Sequence, residues 1–445
     1  TYAISIGRSA GADSQGIQSI AIGYFAGQLS QGTNSISLGN VSGQFNQGEN
    51  AISIGNQAGR TSQSLGAIAI GNLAGTTNQG ITSIAIGISA GASDQKAASV
   101  AIGPNAGQTG QNQSAVAIGQ NAGQTNQSSN AVSIGVNAGS TGQGTSSIAI
   151  GSNAGSTGQA QSAVAIGQNA GQTSQSTNAV AIGLNAGTSN QGTNSVAIGH
   201  NAGRSGQGQN SVAIGSQSGL YSQQESCVSV GYLSGHTNQG INGIAIGVQS
   251  GQTSQGANGI AIGNSAGAFN QDISSIAIGI GAAQTAQRIQ SIAIGSNAGQ
   301  TNQGTQSISI GYQAGQGTQS SNAIAIGNSA GQGTQGQYGI AIGFQSGQNS
   351  QGSAALAIGF QAGASTQGKN AIAIGVQAGQ TAQGTNCIAI GDSAGLNNQG
   401  FTQLGFSGNC IAIGKDAGRE SQELWSVAIG LAAGYSGQGN NAVAI

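Results

Sequence analysis

The stretch SIAIGYFAGQLSQGTN, residues 19–34, is one copy of a unit that repeats along the whole chain. Its dipeptide Ile22-Gly23 recurs at every sixteenth position from Ile6-Gly7 to Ile390-Gly391, with Leu or Val replacing Ile in single units. One longer step then leads from Ile390 to Ile413, after which the regular spacing resumes. A period of this length without a helical pattern predicts an all-β fold, a parallel β-solenoid or β-roll in which each unit forms one coil.

The longer step predicts an interruption within an otherwise regular solenoid. We expect continuous 16-residue repeats over 1–399, an insertion loop over 400–409 and further solenoid repeats over 410–445. Seven extra residues can be placed in such a loop without a change in the phase of the strands on either side.

Each unit contains a short stretch in which large aliphatic and small residues alternate, which is the two-residue period of a β-strand. Because large aliphatic side chains are usually buried, we expect the aliphatic pair to form the core, as in Ile20, Ile22, Ile52, Ile54, Ile68 and Ile70. The opposite face carries Ala or Ser, and a small face allows two backbones to approach closely. We therefore expect a homo-oligomer, most simply a trimer of solenoids, with an end-to-end polymer and a single solenoid as alternatives.

Glycine and glutamine occupy fixed phases of the repeat. The aliphatic residue of each Ile-Gly dipeptide is here called the anchor. Glycine follows every anchor, and we expect it to form corners at the strand ends, as at Gly7, Gly23, Gly39 and Gly55. Glutamine stands nine residues after every anchor, and stacked coils would align these amides in a hydrogen-bonded ladder. The predicted ladder begins with Gln15, Gln31, Gln47, Gln63, Gln79, Gln95, Gln111, Gln127, Gln143 and Gln159. A ligand-binding row of glutamines is the alternative.

The composition excludes several partners. Charged residues make up 4% of the chain and the formal net charge is −1, so no basic surface is available for nucleic acid. No apolar run approaches the roughly 20 residues that cross a bilayer, so we expect no membrane span in this segment.

Motifs that resemble catalytic sites recur with the repeat. The pattern G-x-S-x-G at Ser265 matches the nucleophile elbow of hydrolases, but it is repeated at the same phase in other units. A catalytic serine needs a base at one place, and the chain has only two histidines, His200 and His236. We therefore predict no enzymatic activity, and no cofactor or metal. Cys387 and Cys410 belong to successive coils, and a disulfide between them is left open.

Several repeats resemble a known family. The segments Ser19-Ile20-Ala21-Ile22-Gly23, Ser195-Val196-Ala197-Ile198-Gly199 and Ser211-Val212-Ala213-Ile214-Gly215 are similar to the S-V-A-I-G repeats of YadA-like trimeric autotransporter adhesin heads. That resemblance implies a trimer of parallel β-rolls at a bacterial surface that binds host matrix. The longer period and the constant glutamine depart from the family pattern, whose repeats are usually slightly shorter. Similar A-I-A-I-G repeats also resemble those of large DNA virus proteins.

Three functions follow from these observations. The first is a structural fibre or stalk exposed outside a cell or on a virion. The second is a surface adhesin that binds host matrix or glycans through many weak contacts. The third and least favoured is ice binding, which needs a regular flat array of Thr-x-Thr pairs, whereas threonine forms one interrupted column here, as at Thr125, Thr141, Thr157 and Thr173.

Overall fold

The computed structural model describes residues 2–402, 405–406 and 408–445, and it shows an all-β parallel solenoid without a helix in these ranges. The fold class expected from the repeat is confirmed. The chain forms two compact units, one ending at Glu225 and the other beginning at Ser226. Each unit is a stack of coils, and almost every coil contributes two short strands to two parallel sheets.

The first sheet, here called the aliphatic sheet, contains the I-A-I segments. In the unit that ends at Glu225 its strands are Ile4–Ile6, Ile20–Ile22, Ile36–Leu38, Ile52–Ile54, Ile68–Ile70, Ile84–Ile86, Val100–Ile102, Val116–Ile118, Val132–Ile134, Ile148–Ile150, Val164–Ile166, Val180–Ile182, Val196–Ile198 and Val212–Ile214. In the other unit they are Val228–Val230, Ile244–Ile246, Ile260–Ile262, Ile276–Ile278, Ile292–Ile294, Ile308–Ile310, Ile324–Ile326, Ile340–Ile342, Leu356–Ile358, Ile372–Ile374, Ile388–Ile390, Ile411–Ile413, Val427–Ile429 and Val443–Ala444.

The second sheet, here called the glutamine sheet, contains the strands that end in the constant glutamine. It consists of a 5-stranded and a 17-stranded part, which isolated bridges join through Ser93. In the first unit these are Asp13–Gln15, Leu29–Gln31, Phe45–Gln47, Thr61–Gln63, Thr77–Gln79, Thr109–Gln111, Thr125–Gln127, Thr141–Gln143, Thr157–Gln159, Thr173–Gln175, Ser189–Gln191, Ser205–Gln207 and Tyr221–Gln223. In the second unit they are Thr237–Gln239, Thr253–Gln255, Phe269–Gln271, Thr285–Gln287, Thr301–Gln303, Thr318–Gln319, Thr334–Gln335, Ser350–Gln351 and Thr366–Gln367.

The register of both sheets follows the sequence period. Val164 pairs with Val180, and Gln159 pairs with Gln175, so each residue lies over its equivalent in the preceding coil. The pairing continues past the long step, where Ile388 pairs with Ile411. The extra residues include an antiparallel pair, Phe401–Thr402 with Gly405–Phe406. Residues 403, 404 and 407 of the predicted insertion loop 400–409 lie outside the described residues.

The interior differs from the core that the sequence led us to expect. The central residue of each I-A-I strand, such as Ala21 or Ala69, is fully buried, whereas the flanking aliphatic residues, Ile20 and Ile22 among them, are only half-buried. The same holds for Ile52, Ile54, Ile68 and Ile70. Alternation places two sets of side chains on opposite faces, but it does not say which face points inward.

The narrowness of the coil explains why the small residues are inside. The two sheets enclose alanine columns and the glutamine side chains. A Cβ added at Gly123 would stand 2.6 Å from Oε1 of Gln127, so the interior already lacks space for a methyl group at that corner. The small face is therefore the lining of one coil and is not free to pack against another chain.

Candidate interaction surface

The outward side chains of the aliphatic sheet form a continuous apolar surface, here called the aliphatic face. Its strands consist only of Ile, Val, Leu, Ala and Ser, without a charged residue. In the first unit Ile182, Ile198 and Ile214 are 36%, 37% and 38% exposed. Because single exposed apolar residues are normal but long contiguous rows are not, this row is the principal candidate for a contact with another molecule.

The glutamine ladder joins the two sheets from inside. In the coil of Gln175, its Nε2 donates to the carbonyl oxygen of Val164 across the interior at 2.8 Å and to that of Ala179 at 3.1 Å. The same Nε2 contacts Oε1 of Gln191 in the next coil at 3.1 Å, and Oε1 of Gln175 accepts from Gln159 at 3.1 Å. The side chain is 1% exposed. The amide thus links the sheets of one coil and the coils of the stack.

The predicted ladder residues show the same cross-coil bond. The amide of each of Gln15, Gln31, Gln47, Gln63, Gln79, Gln95, Gln111, Gln127, Gln143 and Gln159 donates to the carbonyl 11 residues before it. The axial bond between successive amides is present for most of them, for example from Gln111 to Gln127 at 3.1 Å. Because these ladder amides point into the coil, they do not themselves form a surface row that a ligand could contact.

Serines support the ladder at points where they replace the central alanine. Their hydroxyls donate to Oε1 of the glutamine ten residues on, as in Ser37 to Gln47 at 2.7 Å and Ser309 to Gln319 at 2.8 Å. Sequence reasoning classed Ala and Ser together as small residues and missed this role. Serine at a position where other repeats have alanine indicates this role, because a hydroxyl inside an apolar column requires a hydrogen-bond partner.

The corners contain the predicted glycines and a second amide ladder. Gly7, Gly23, Gly39 and Gly55 have φ between 128° and 134°, a backbone conformation that only glycine adopts readily. Three residues after the anchor, a run of coils from Asn105 to Asn201 has asparagines in the left-handed conformation that bond from coil to coil, as Asn121 to Asn137 at 3.0 Å. Sequence reasoning missed this ladder, although the recurrent N-A-G tripeptide is its signal.

The side chains of the motifs that resemble catalytic sites have local hydrogen-bond partners. The Ser265 hydroxyl donates to Oδ1 of Asn264 at 2.8 Å, and the His200 ring contacts the amide of Asn201 at 3.1 Å. Burial lowers the pKa of His236, whose Nδ1 lies 2.9 Å from the Thr237 hydroxyl. Within the described ranges, no three His, Cys, Asp or Glu side chains converge as metal ligands.

Threonines form one column on the outer side of the glutamine sheet. Thr125, Thr141 and Thr157 are in register, and the residues that follow them, such as Asn126 and Gly142, are in the left-handed conformation. The strands of the glutamine sheet in the described residues contain no Thr-x-Thr pair, so this column is not the paired array that ice binding needs. No helix in the described part of the chain has the length and apolar character needed to cross a membrane.

Architecture and surface together define a class, that of β-solenoid repeat proteins with an apolar outward sheet. A comparison with protein families matches the YadA head domain repeat at residues 79–106, 143–170, 174–202, 350–378 and 367–394. These segments are YadA-like head repeats, and the resemblance to that family noted from the sequence is confirmed. No curated protein matches the chain. Solenoids of this repeat family are typically non-enzymatic.

Proposed function

We propose that this chain is a non-catalytic structural shaft of the adhesin type, which self-associates through its aliphatic face and is exposed at a cell or virion surface. The observation that carries the proposal is the uncharged row of half-buried Ile and Val residues along each unit. YadA-type repeats are surface structures that usually form homotrimers, which favours three copies.

A second copy of the same chain fits this face better than an unrelated partner does. The face repeats with every coil, so a partner must present an apolar surface with the same repeat, and this chain does so itself. Each coil has only part of two aliphatic side chains left to bury, at about 25 cal/mol per Å². The stabilisation of one coil is therefore small, but it adds up over the stack because all coils present the same face.

Charge on the aliphatic face is expected to dissociate the assembly. We predict that the wild-type chain of 42.7 kDa has three times that mass in light scattering, and that the double variant Ile182→Lys/Ile198→Lys has the mass of one chain. Lysines at both sites would bring like charges together in a desolvated interface, which costs several kcal/mol. Both side chains are more than one-third exposed in the single chain, so the coil itself should tolerate lysine.

The matched control is Leu184→Lys. Leu184 is 42% exposed, close to Ile182 at 36%, but it lies at the corner beyond the aliphatic sheet. We expect this variant to keep the wild-type mass, and all variants to keep a β-type circular dichroism spectrum. A monomeric wild-type chain, or a folded double variant that stays associated, would contradict the proposal.

A second candidate function, adhesion to host matrix or glycans, is favoured by an exposed aromatic pair. The rings of Phe344 and Phe360 stack at a centroid distance of 5.2 Å and an interplanar angle of 9°, and the residues are 42% and 46% exposed. They occupy the same corner position in successive coils. Flat apolar rings on a rigid corner suit contacts with sugar rings or collagen side chains, and a multichain shaft would repeat the contact.

Replacement of the aromatic pair is expected to weaken adhesion. We predict that Phe344→Ser/Phe360→Ser lowers the apparent affinity for immobilised collagen or glycans at least about tenfold, because aromatic residues dominate such contacts. Val376→Ser is the control, since Val376 has the same corner position in the next coil and is 47% exposed. Equal binding by both variants and the wild type would exclude this corner as the adhesive site.

A further inference from the structure

Two cysteines meet inside the stack at the insertion. Cys387 and Cys410 directly precede the paired strands Ile388–Ile390 and Ile411–Ile413, and both residues are fully buried. The backbone N–H of Ile388 donates to the carbonyl of Cys410 at 2.8 Å. The two cysteines therefore have equivalent positions in neighbouring coils, although the whole insertion separates them in sequence.

The sulfur atoms of the two cysteines lie in one small space beside two glycines. A Cβ added at Gly400 would stand 2.6 Å from Sγ of Cys387 and 3.1 Å from Sγ of Cys410. A Cβ at Gly408 would stand 2.7 Å from Sγ of Cys387. Both sulfurs thus border the same point, and they are covered by glycine backbone on the side of the insertion. Neighbouring parallel strands are about 4.8 Å apart, which lies within the Cα separation that a disulfide spans.

The two sulfurs also interact with each other. Both cysteines are free thiols in the structure, and their proximity raises the pKa of Cys387 and lowers that of Cys410. Sγ of Cys410 further lies 2.9 Å from the carbonyl oxygen of Glu423. Two thiols held side by side in neighbouring coils are the arrangement that an oxidant converts into a disulfide.

We propose that Cys387 and Cys410 form a disulfide that fastens the coil before the insertion to the coil after it. The bond closes a covalent loop around the extra residues, where the regular connection between coils is interrupted. Oxidation must occur while the chain folds, because both residues are fully buried afterwards. The inference does not depend on the aliphatic face or on self-association.

The reaction needs a disulfide oxidant, of low molecular mass or on a thiol–disulfide exchange protein. During folding, Cys410 loses its proton to solvent, and its thiolate attacks one sulfur of the oxidant, which forms a mixed disulfide and releases one thiolate. Cys387 loses its proton and attacks the Cys410 sulfur, which forms the S–S bond and releases the second thiolate of the oxidant. Two electrons pass from the cysteine pair to the oxidant disulfide, which leaves as two thiols.

Cys227 is an internal control for this pair. It is fully buried at the same phase of the repeat, and its Sγ lies 2.9 Å from the Gly240 carbonyl. The backbone N–H of the next residue, Val228, donates to Gly243, so the stacked equivalent of Cys227 in the following coil is a glycine. Burial at this phase is therefore shared by all three cysteines, whereas a stacked cysteine partner is specific to Cys387 and Cys410.

The test uses the full chain folded in the oxidising bacterial periplasm, so that an oxidant is present before the sulfurs are covered. The protein is unfolded in guanidinium with iodoacetamide and without reductant, digested with trypsin and examined by mass spectrometry. Cys387 and Cys410 lie together in the tryptic peptide 370–415, and Cys227 lies in the peptide 205–288. We expect peptide 370–415 to carry no alkyl group and to be two hydrogen masses lighter than the dithiol. Cys227 is expected to be alkylated.

Two further measurements use chemical reduction of the disulfide and the variant Cys410→Ser. After reduction, peptide 370–415 is expected to gain two alkyl groups, and in Cys410→Ser the Cys387 thiol is expected to be alkylated without reduction. Full alkylation of both cysteines in the unreduced wild type would overturn the proposal, as would a disulfide that links either cysteine to Cys227. The wild-type measurement decides the outcome even if the serine variant does not fold.

Discussion

Replacing Gln175 with leucine is expected to cost about 2–4 kcal/mol of local stability, because the substitution leaves buried hydrogen-bonding groups without their partner. The amide donates to the Val164 carbonyl at 2.8 Å and is also one link of the axial ladder. Leucine has a similar volume, so the loss of hydrogen bonds dominates over the loss of packing. In a stack whose coils contact only their neighbours, the effect is expected to be concentrated in the adjoining coils.

Hydrogen exchange is the suitable measurement because it resolves individual coils. We expect backbone amides near Val164 and Val180 to exchange roughly 30–1000 times faster in Gln175→Leu, which corresponds to the expected loss of stability. Gln168→Leu is the control, since Gln168 is an exposed glutamine of the same coil. Equal exchange rates in the two variants would show that the interior amide does not hold the sheets together.

The fold was predictable because the sequence repeats the same information many times. A constant spacing, alternation at Val164–Ile166 and glycine after each anchor together indicate short stacked strands with corners. The pairing of Val164 with Val180 follows directly from that period. The register of the strands also continues past the longer step between Ile390 and Ile413, since Ile388 pairs with Ile411.

The orientation of the strands was not predictable from alternation. Ile20 and Ile22 were expected inside because they are large and apolar, but the coil is too narrow and Ala21 lies inside instead. The constant glutamine contained the missing information. A buried amide that reaches the carbonyl of the opposite strand requires closely spaced sheets, and closely spaced sheets admit only small neighbours.

The surface available for contact between chains therefore differs from the one predicted from the sequence. Sequence reasoning assigned contact between chains to the small face, whereas the structure leaves the aliphatic face outward and places Ala165 and Ala181 inside the coil. A single chain exposes residues that an assembly could bury. In the proposed assembly, the intrinsic preference of isoleucine for a dry environment would be met between chains.

Replacing Gly135, the glycine that follows the strand Val132–Ile134, with alanine is expected to destabilise the stack strongly. Gly135 has φ of 127°, and a Cβ there would stand 2.8 Å from the backbone carbon and oxygen of Gly151 in the next coil. The obstacle is backbone, which cannot rotate away as a flexible side chain can. Strain in φ and the forced separation of two coils together predict a loss of about 3–5 kcal/mol.

The control for this prediction is another glycine of the same coil, Gly142, which has φ of 66° and open space where a Cβ would lie. The equivalent residue of the preceding coil is Asn126 with φ of 55°, so Gly142→Asn is expected to change stability by no more than about 0.5 kcal/mol. Urea unfolding of both variants measures the difference, and hydrogen exchange locates it. Equal unfolding midpoints would mean that neighbouring coils can separate at this corner at little cost. The stack would then not depend on close backbone contact between Gly135 and Gly151, and the invariance of glycine after each anchor would need another cause.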